Sequence, residues 1–287
     1  MAIRNDYSSF TGNINEILQA TISHEFFHAI QYGYDGWEAG WLLESTAVLM
    51  EELHYDHIND CYQFLEDNFD YPEDGLFKDT QRGYGSYIFF SYIEDNYLDS
   101  RYVKNIFEKS IDYYSYDFDY SLDPVLDILE KNSLDITNLI TDLAISNVLL
   151  DGNAQPEIYQ FEEAKEYIGK GVYFSNKITT IPDSVLSINE SIWSTGSRFY
   201  KFINLDSTLE SITVLLSDQD LNNEYYYLQT ITKLDNGNYN IVEGLPQTVL
   251  SSYSDTLLFS LTYYNGYTLD TAKYSIKFIK NYLPTED

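Results

Sequence analysis

The chain has 287 residues and a net charge of −30, with 46 acidic against 16 basic side chains. This charge argues against nucleic acid or an anionic membrane surface as the partner. The single cysteine, Cys61, excludes an intramolecular disulfide, and no apolar run approaches the roughly 20 residues that span a membrane.

The first predicted helix covers residues 14–34. Its apolar residues recur at spacings of three and four, which is typical of an amphipathic helix. They are Ile14, Ile17, Leu18, Ile22, Phe26, Ala29 and Ile30. Asn13 or Asn15 is suited to cap the start, and Gly33 with Gly36 marks the end.

This helix contains the motif His24-Glu25-Phe26-Phe27-His28, which uses two of the four histidines in the chain. Positions i and i+4 lie on one face of a helix, so both imidazoles can bind one zinc ion. A random sequence of this composition would contain such a motif roughly 0.004 times. The alternative is a helix with two incidental histidines.

A catalytic zinc ion usually takes three protein ligands, so a third is needed. Glu44 is the best candidate, because it lies in residues 41–47, the start of a second apolar run that continues to residue 52. Gly33, Gly36 and Gly40 allow the chain to turn back as a helical hairpin. A carboxylate framed by apolar residues is expensive to bury unless it binds a cation.

Together these motifs resemble the gluzincin class of zinc metallopeptidases, in which a helical His-Glu-x-x-His precedes a second helix with a glutamate ligand. The second match is Trp41-Leu42-x-Glu44-x-x-Ala47, and Ser45 stands where many gluzincins have glycine. A looser likeness to secreted bacterial metallopeptidases continues through residues 84–90.

The resemblance implies that His24, His28 and Glu44 bind zinc. It also implies that Glu25 is the general base, which takes a proton from the zinc-bound water during peptide hydrolysis. Gluzincins usually place a sheet before the motif helix, and only residues 1–13 precede it here. We therefore expect a fragment or an unusually short member, with residues 2–7 as the last strand of that sheet.

Tyr84 and Tyr87 are candidates for the hydrogen-bond donor to the oxyanion, because a tyrosine hydroxyl donates without carrying charge. The alternative is that both are packing residues, since the chain has 29 tyrosines. Arg82 is either a substrate-carboxylate ligand or an exposed surface residue.

His54 and His57 lie beside Asp56 and Asp60, which allows a second metal site, although such histidines are usually solvated. The acidic clusters at residues 112–123 and 218–224 allow calcium binding or are solvated loops.

The remaining pattern predicts an α+β chain. Helices are expected at residues 84–97, 102–109, 124–129 and 136–150, and a polar segment at 157–167. Strands are expected at residues 172–174, 185–188, 198–203, 211–216, 224–232, 238–243, 255–264 and 272–279, with a hairpin turn at 235–238. Short strands at this spacing predict an antiparallel β-sandwich.

We therefore expect a mainly helical, zincin-like catalytic domain at residues 1–155 and a β-sandwich domain at 156–287. The expected function is zinc-dependent hydrolysis of peptide or protein substrates by a secreted or cell-surface enzyme. The alternative is an inactive zinc-containing surface protein that binds peptide or glycan through the aromatic residues of its sandwich.

Overall fold

The computed structural model describes residues 13–78, 81–113, 121–150, 154, 156–169, 178–180, 186–203, 209–218, 225–234, 236–244, 247–250, 256–266 and 270–282. The strands expected at residues 2–7 and 172–174 lie outside these ranges. The chain is α+β, as expected, and its packing forms two compact units. One unit comprises residues 1–68 and 77–136, and the other comprises residues 69–76 and 137–287.

The first unit is helical where it is described. Its helices are α1 (Ile14–Tyr34), α2 (Gly40–Tyr55), α3 (Leu65–Asp70), α4 (Gln81–Gly85), α5 (Tyr87–Asn96), α6 (Arg101–Ser110) and α7 (Leu122–Lys131). The last two residues of α3 lie beyond the boundary of this unit. A 3-10 turn, Asp60–Phe64, precedes α3. The bounds of α1 are those predicted, and Asn13 caps it by accepting a hydrogen bond from the Asn15 amide at 3.0 Å.

The helix expected at residues 84–97 is divided into α4 and α5. Ser86 separates them, and its hydroxyl donates to the Arg82 carbonyl at 3.1 Å. A Cβ atom at Gly85 would lie 2.4 Å from the Phe64 carbonyl oxygen, so this close approach requires glycine. The expected helix is therefore interrupted where it packs closely against the 3-10 turn Asp60–Phe64.

The apolar residues of α1 do not all face the interior. Ile22, Phe26 and Ile30 are 41%, 63% and 41% exposed. Ala20 and Gln31 are the buried residues of this helix. The side of α1 that faces α2 carries polar groups, which have hydrogen-bond partners there. The 3.6-residue period therefore predicted the helix correctly but not which side it buries.

The second unit contains α8 (Ile136–Leu149), the 3-10 turn Glu157–Tyr159, α9 (Ala164–Gly169) and the described strands. The strands are β1 (Ile178–Thr180), β2 (Leu186–Trp193), β3 (Ser197–Ile203), β4 (Leu209–Asp218), β5 (Tyr226–Lys233), β6 (Tyr239–Glu243), β7 (Gln247–Leu250), β8 (Thr256–Tyr263) and β9 (Thr271–Tyr282). All strand predictions within the described ranges are confirmed, whereas β1 and β7 were not predicted. The segment expected to be polar, residues 157–167, contains the 3-10 turn and the first residues of α9.

These strands form two sheets, in the orders β1-β3-β8-β5-β6 and β2-β9-β4-β7. The described pairs are antiparallel except for β1 with β3. The predicted hairpin turn joins β5 to β6, and Gly237 adopts φ +89° in it. This left-handed conformation suits glycine.

Both sheets contribute to one apolar core. Phe202 on β3 and Phe259 on β8 belong to the first sheet, and Phe278 on β9 belongs to the second. Their ring centroids lie 5.3–5.8 Å apart, the usual separation of packed aromatic rings. Alternate residues of β9 are buried, which is the period of a strand with one face in the core.

The division between the units differs from the boundary expected at residues 155/156. Helix α8 belongs to the second unit, because Ile145 packs with Ala154 and Tyr159 against Ile231 of β5. Residues 69–76 also belong to it. The Glu73 carbonyl accepts from the Trp193 amide at 2.9 Å, and the Pro72 carbonyl accepts from the Ser197 amide at 2.7 Å.

Candidate metal centre

The hairpin of α1 and α2 is held in register by buried polar contacts. Gln31 is fully buried, and its Nε2 donates to the Leu43 carbonyl and to the Thr46 hydroxyl, each at 2.9 Å. Nearer the start of α1, the Ser23 hydroxyl donates to the Met50 carbonyl at 2.9 Å. These bonds fix which turn of α2 lies opposite the histidines of α1.

The three predicted zinc ligands, His24, His28 and Glu44, converge in this hairpin, and we refer to them as the ligand triad. The Glu44 Oε2 atom lies 3.1 Å from His24 Nε2 and 3.4 Å from His28 Nε2. The two Nε2 atoms are 3.0 Å apart. A tetrahedral zinc ion with bonds of about 2.0–2.1 Å holds its ligands roughly 3.3 Å apart. The triad therefore has the spacing of a zinc site.

The outer nitrogen of each imidazole is bound by a second residue. His24 Nδ1 lies 2.6 Å from Glu51 Oε1, and His28 Nδ1 lies 2.7 Å from Gln31 Oε1. Because Gln31 donates through Nε2, its Oε1 accepts, so the hydrogen-bond network assigns the proton of His28 to Nδ1. The Nε2 lone pair then points into the triad, which is the arrangement of a metal-binding histidine.

Glu51 and Gln31 were not predicted from the sequence as site residues. Glu51 lies seven residues after Glu44, or about two helical turns, and therefore on the same side of α2. This spacing was the available signal for Glu51. Gln31 lies three residues after His28, which is also a neighbouring position on a helix.

The interactions within the triad shift its pKa values strongly. Burial lowers the pKa of His24, but hydrogen bonds to Glu44 and Glu51 outweigh it and raise this pKa from 6.5 to about 9. Burial raises the pKa of Glu44, but the two histidines outweigh it and lower this pKa to about 2. In the absence of an ion, a proton on His24 therefore supplies positive charge between the histidines and Glu44.

Glu25 and Tyr84, the two predicted catalytic residues, lie at the same hairpin. Glu25 is exposed and directly follows His24 on α1. The ring of Tyr84 stacks on that of His24, with centroids 6.0 Å apart and an angle of 10° between the planes. Burial, then the charge of Glu44 and a hydrogen bond to it, and then the charge of Glu25 raise the pKa of Tyr84 to about 12.

The structure distinguishes among the other residues that the sequence suggested. Tyr87 is fully buried, so its hydroxyl is not accessible to a substrate. Arg82 was expected to be exposed or to bind substrate. It is 5% exposed, and its Nη1 donates to the Asp67 carbonyl at 2.8 Å.

A second site at His54 and His57 gains no support from the geometry. His54 Nδ1 lies 2.7 Å from the Met50 carbonyl, and neither histidine joins a group of three potential ligands in the described ranges. Of the two acidic clusters proposed for calcium, residues 114–120 and 219–224 lie outside those ranges. Calcium binding stays a prediction.

The aromatic residues of the sandwich mostly belong to its interior. Tyr226, Tyr263 and Tyr264 are 4%, 5% and 8% exposed, whereas Tyr225 is 40% exposed. The structure therefore favours packing over a broad aromatic binding face for these residues. Among the described residues, no helix is both long and apolar enough to cross a bilayer.

No protein-family model and no curated protein matches the chain. Solved structures with some likeness include PliG of Aeromonas hydrophila and PliG of Salmonella Typhimurium, periplasmic inhibitors of g-type lysozyme. Each is 11% identical and covers 37% of this chain and 98% of its own, with TM-scores of 0.28 and 0.29. This likeness is too low to support a function.

Proposed function

We propose that this protein is a zinc-dependent peptidase whose helical unit is zincin-like. The convergence of His24 Nε2, His28 Nε2 and Glu44 Oε2 within 3.0–3.4 Å of one another carries the proposal. Two imidazoles and one carboxylate are a ligand set of catalytic zinc, with a fourth position for water or substrate. The bonds from Glu51 and Gln31 to the outer nitrogens support the same assignment.

Zinc, when bound, would polarise the substrate carbonyl and acidify the attacking water. Glu25 takes the proton of that water and gives it to the leaving amine, which its exposed position beside His24 allows. Tyr84 keeps its proton at neutral pH, because its pKa is raised to about 12. It donates a hydrogen bond to the carbonyl oxygen of the substrate as negative charge develops on that oxygen.

The residues around the triad orient it. Glu51 and Gln31 keep the Nε2 atoms of both histidines directed at the ion. Ser45, which stands where many gluzincins have glycine, is fully buried and donates to the Trp41 carbonyl at 2.5 Å within its own helix. Its hydroxyl is therefore bound within α2. The substrates of the proposed enzyme are peptides or proteins, and its proposed location is outside the cell.

The test combines metal analysis with cleavage of a peptide library. We expect one zinc ion per chain in the wild type and in Glu25→Gln, because Glu25 is not a ligand. Cleavage should fall by about 10²–10⁴-fold in Glu25→Gln, the usual contribution of a general base. Glu66→Gln is the matched control, since it removes another exposed glutamate of this unit.

Two outcomes would contradict the proposal. Zinc without cleavage in the wild type would indicate a binding protein, which is the alternative expected from the sequence. A wild-type protein without zinc, after purification in zinc-containing buffer, would show that the triad is not a zinc site.

A further inference from the structure

An exposed aromatic ring lies next to the ligand triad. Tyr32 is 61% exposed, and its ring stacks on that of His28, with centroids 6.2 Å apart and an angle of 25° between the planes. Tyr32 follows Glu25 by seven residues, so it lies on nearly the same side of α1, about 10.5 Å further along the axis. A peptide that crosses the triad towards the end of α1 therefore passes this ring.

The turn after α1 folds against the same ring. A Cβ atom at Gly36 would lie 2.8 Å from Tyr32 Cδ1, which shows how closely the turn approaches. Asp35 Oδ1 accepts from the Trp37 amide at 2.8 Å, and Trp37 is 77% exposed. Two exposed aromatic residues, Tyr32 and Trp37, therefore lie within three residues of Asp35, and Tyr32 contacts the triad.

The acidic residues of this region have no lysine or arginine near them in the sequence. The segment from Asn5 to Phe77 contains fifteen acidic residues and neither lysine nor arginine. In the described part of the chain, no ion pair joins Asp35 to a basic side chain. Lys104, whose charge is close enough to interact with Tyr34, forms a salt bridge with Glu108 at 3.0 Å.

We propose that Tyr32, Asp35 and Trp37 form a subsite, here called the basic subsite, for a lysine or arginine side chain of the peptide substrate. The inference rests on the proposed peptidase function and specifies its substrate class. Aromatic faces attract a cation within about 6 Å, and a carboxylate neutralises its charge. An acidic side chain at the same position would be repelled.

The position of the basic subsite predicts where the basic residue lies in the substrate. An extended peptide advances about 3.4 Å per residue, so 10.5 Å corresponds to roughly three residues. We therefore expect the preference at one position, two to four residues from the scissile bond.

The experiment measures binding separately from cleavage. A set of fluorescent peptides, neutral elsewhere, carries lysine, norleucine or glutamate at each position in turn. Fluorescence anisotropy gives their dissociation constants for the zinc-loaded Glu25→Gln protein at low salt. At one position, lysine should bind about fivefold more tightly than norleucine, and glutamate more weakly than norleucine.

Variants in the Glu25→Gln background identify the residues responsible. Asp35→Asn keeps an acceptor for the Trp37 amide but removes the charge, and should reduce the lysine preference to about twofold. Tyr32→Leu should reduce it by about threefold, whereas Tyr32→Phe should preserve it. Asp67→Asn, which removes an exposed charge elsewhere in this unit, is the control and should leave the preference unchanged.

The outcomes separate this inference from the proposed function. Equal binding of lysine and norleucine peptides at every position would overturn the basic subsite, as would a preference that survives both Asp35→Asn and Tyr32→Leu. Lysine-selective binding that these variants abolish, in a protein whose wild type cleaves none of the peptides, would support the subsite and contradict the peptidase. Cleavage without charge preference would remove only the subsite, and no binding of any peptide would overturn it as well.

Discussion

The contacts beside the ligand triad and the core between the two sheets bury different kinds of side chain. Gln31 and Thr46 are fully buried in the hairpin, and Glu51 is 6% exposed. In the sandwich, Phe259 and Phe278 are 0% and 1% exposed and pack against aromatic and aliphatic neighbours. Although α2 also buries apolar residues such as Leu42 and Val48, the contacts beside the triad depend on individual polar partners. The sandwich core depends mainly on the area of apolar surface that it buries.

This difference indicates which region can hold functional side chains in fixed positions. Apolar burial is non-directional, so the sandwich core requires volume and shape. A buried polar group requires a partner at hydrogen-bond distance, and each one fixes the register of the hairpin further. The Nε2 atoms of His24 and His28 and the Oε2 atom of Glu44 are then close together, where the proposed zinc ion would bind. We therefore expect substitutions beside the triad to change zinc affinity and substitutions in the sandwich core to change stability.

The largest expected effect is removal of a ligand. His24→Ala, His28→Ala and Glu44→Ala should each weaken zinc binding by roughly a thousandfold, because about 10–16 kcal/mol of binding is shared among three or four ligands. Competition with a chromophoric chelator measures this change. Full zinc affinity in Glu44→Ala would exclude Glu44 as the third ligand.

Removal of an aromatic ring from the β-sandwich core tests the second region. Phe278→Ala should lower the free energy of unfolding by about 3–5 kcal/mol, the usual cost of an aromatic cavity. Chemical denaturation followed by circular dichroism measures the loss. At low denaturant the zinc dissociation constant should change less than twofold, and a larger change would show that the two regions are not distinct in this sense.

Substitution of Glu51, which binds the outer nitrogen of His24, should have an intermediate effect on zinc affinity. Glu51→Gln retains an acceptor for His24 Nδ1 but removes the charge, and should weaken zinc binding by about 10–100-fold. Glu52→Gln, the same change at the next residue of α2, is the control and should weaken zinc binding less. Equal effects of the two substitutions would contradict the orienting role of Glu51.

The pH dependence of zinc affinity tests the charge of the triad. In the zinc-free protein the pKa of His24 is about 9, so an ion must displace its proton at neutral pH. Affinity should therefore rise at least tenfold per pH unit from pH 7 to 9 and level off above. Titration calorimetry in buffers of different ionisation enthalpy measures the released protons, and an affinity independent of pH would contradict the shift.

The raised pKa of His24 also predicts how the stability of the zinc-free protein depends on pH. The folded pKa of His24 lies above the unfolded value of 6.5, so its contribution is complete below pH 6.5 and is lost as the pH rises through about 9. The zinc-free hairpin should thus lose stability between pH 7 and 10, and the zinc-loaded protein should be less affected. Thermal unfolding with and without a chelator measures the difference.

The smallest expected effect is at Ser45. Ser45→Gly should lower the free energy of unfolding by about 1 kcal/mol, because glycine is a poor helix former in a helix interior. Zinc affinity should be unchanged, since the Ser45 hydroxyl donates within α2. A loss of zinc affinity above tenfold would show that Ser45 takes part in the site.

Several elements followed directly from the sequence. The bounds of α1 were correct because residues 14–34 combine a helical period with a capping Asn13 and terminal glycines. The described strands from β2 to β6, with β8 and β9, were also identified, because strand alternation and turn residues are local signals. Strands β1 and β7, of three and four residues, were too short to show alternation.

The sequence by itself determined that His24 and His28 share one face of α1, because a helix places positions i and i+4 on one face whatever surrounds it. Only the tertiary structure decided that Glu51 and Gln31 bind the outer nitrogens, that Ile22, Phe26 and Ile30 are exposed, and that residues 69–76 pack with the sandwich. Helical and strand periods depend on neighbours along the chain. Hydrogen bonds and burial depend on residues that are distant in sequence, and no local pattern contains them.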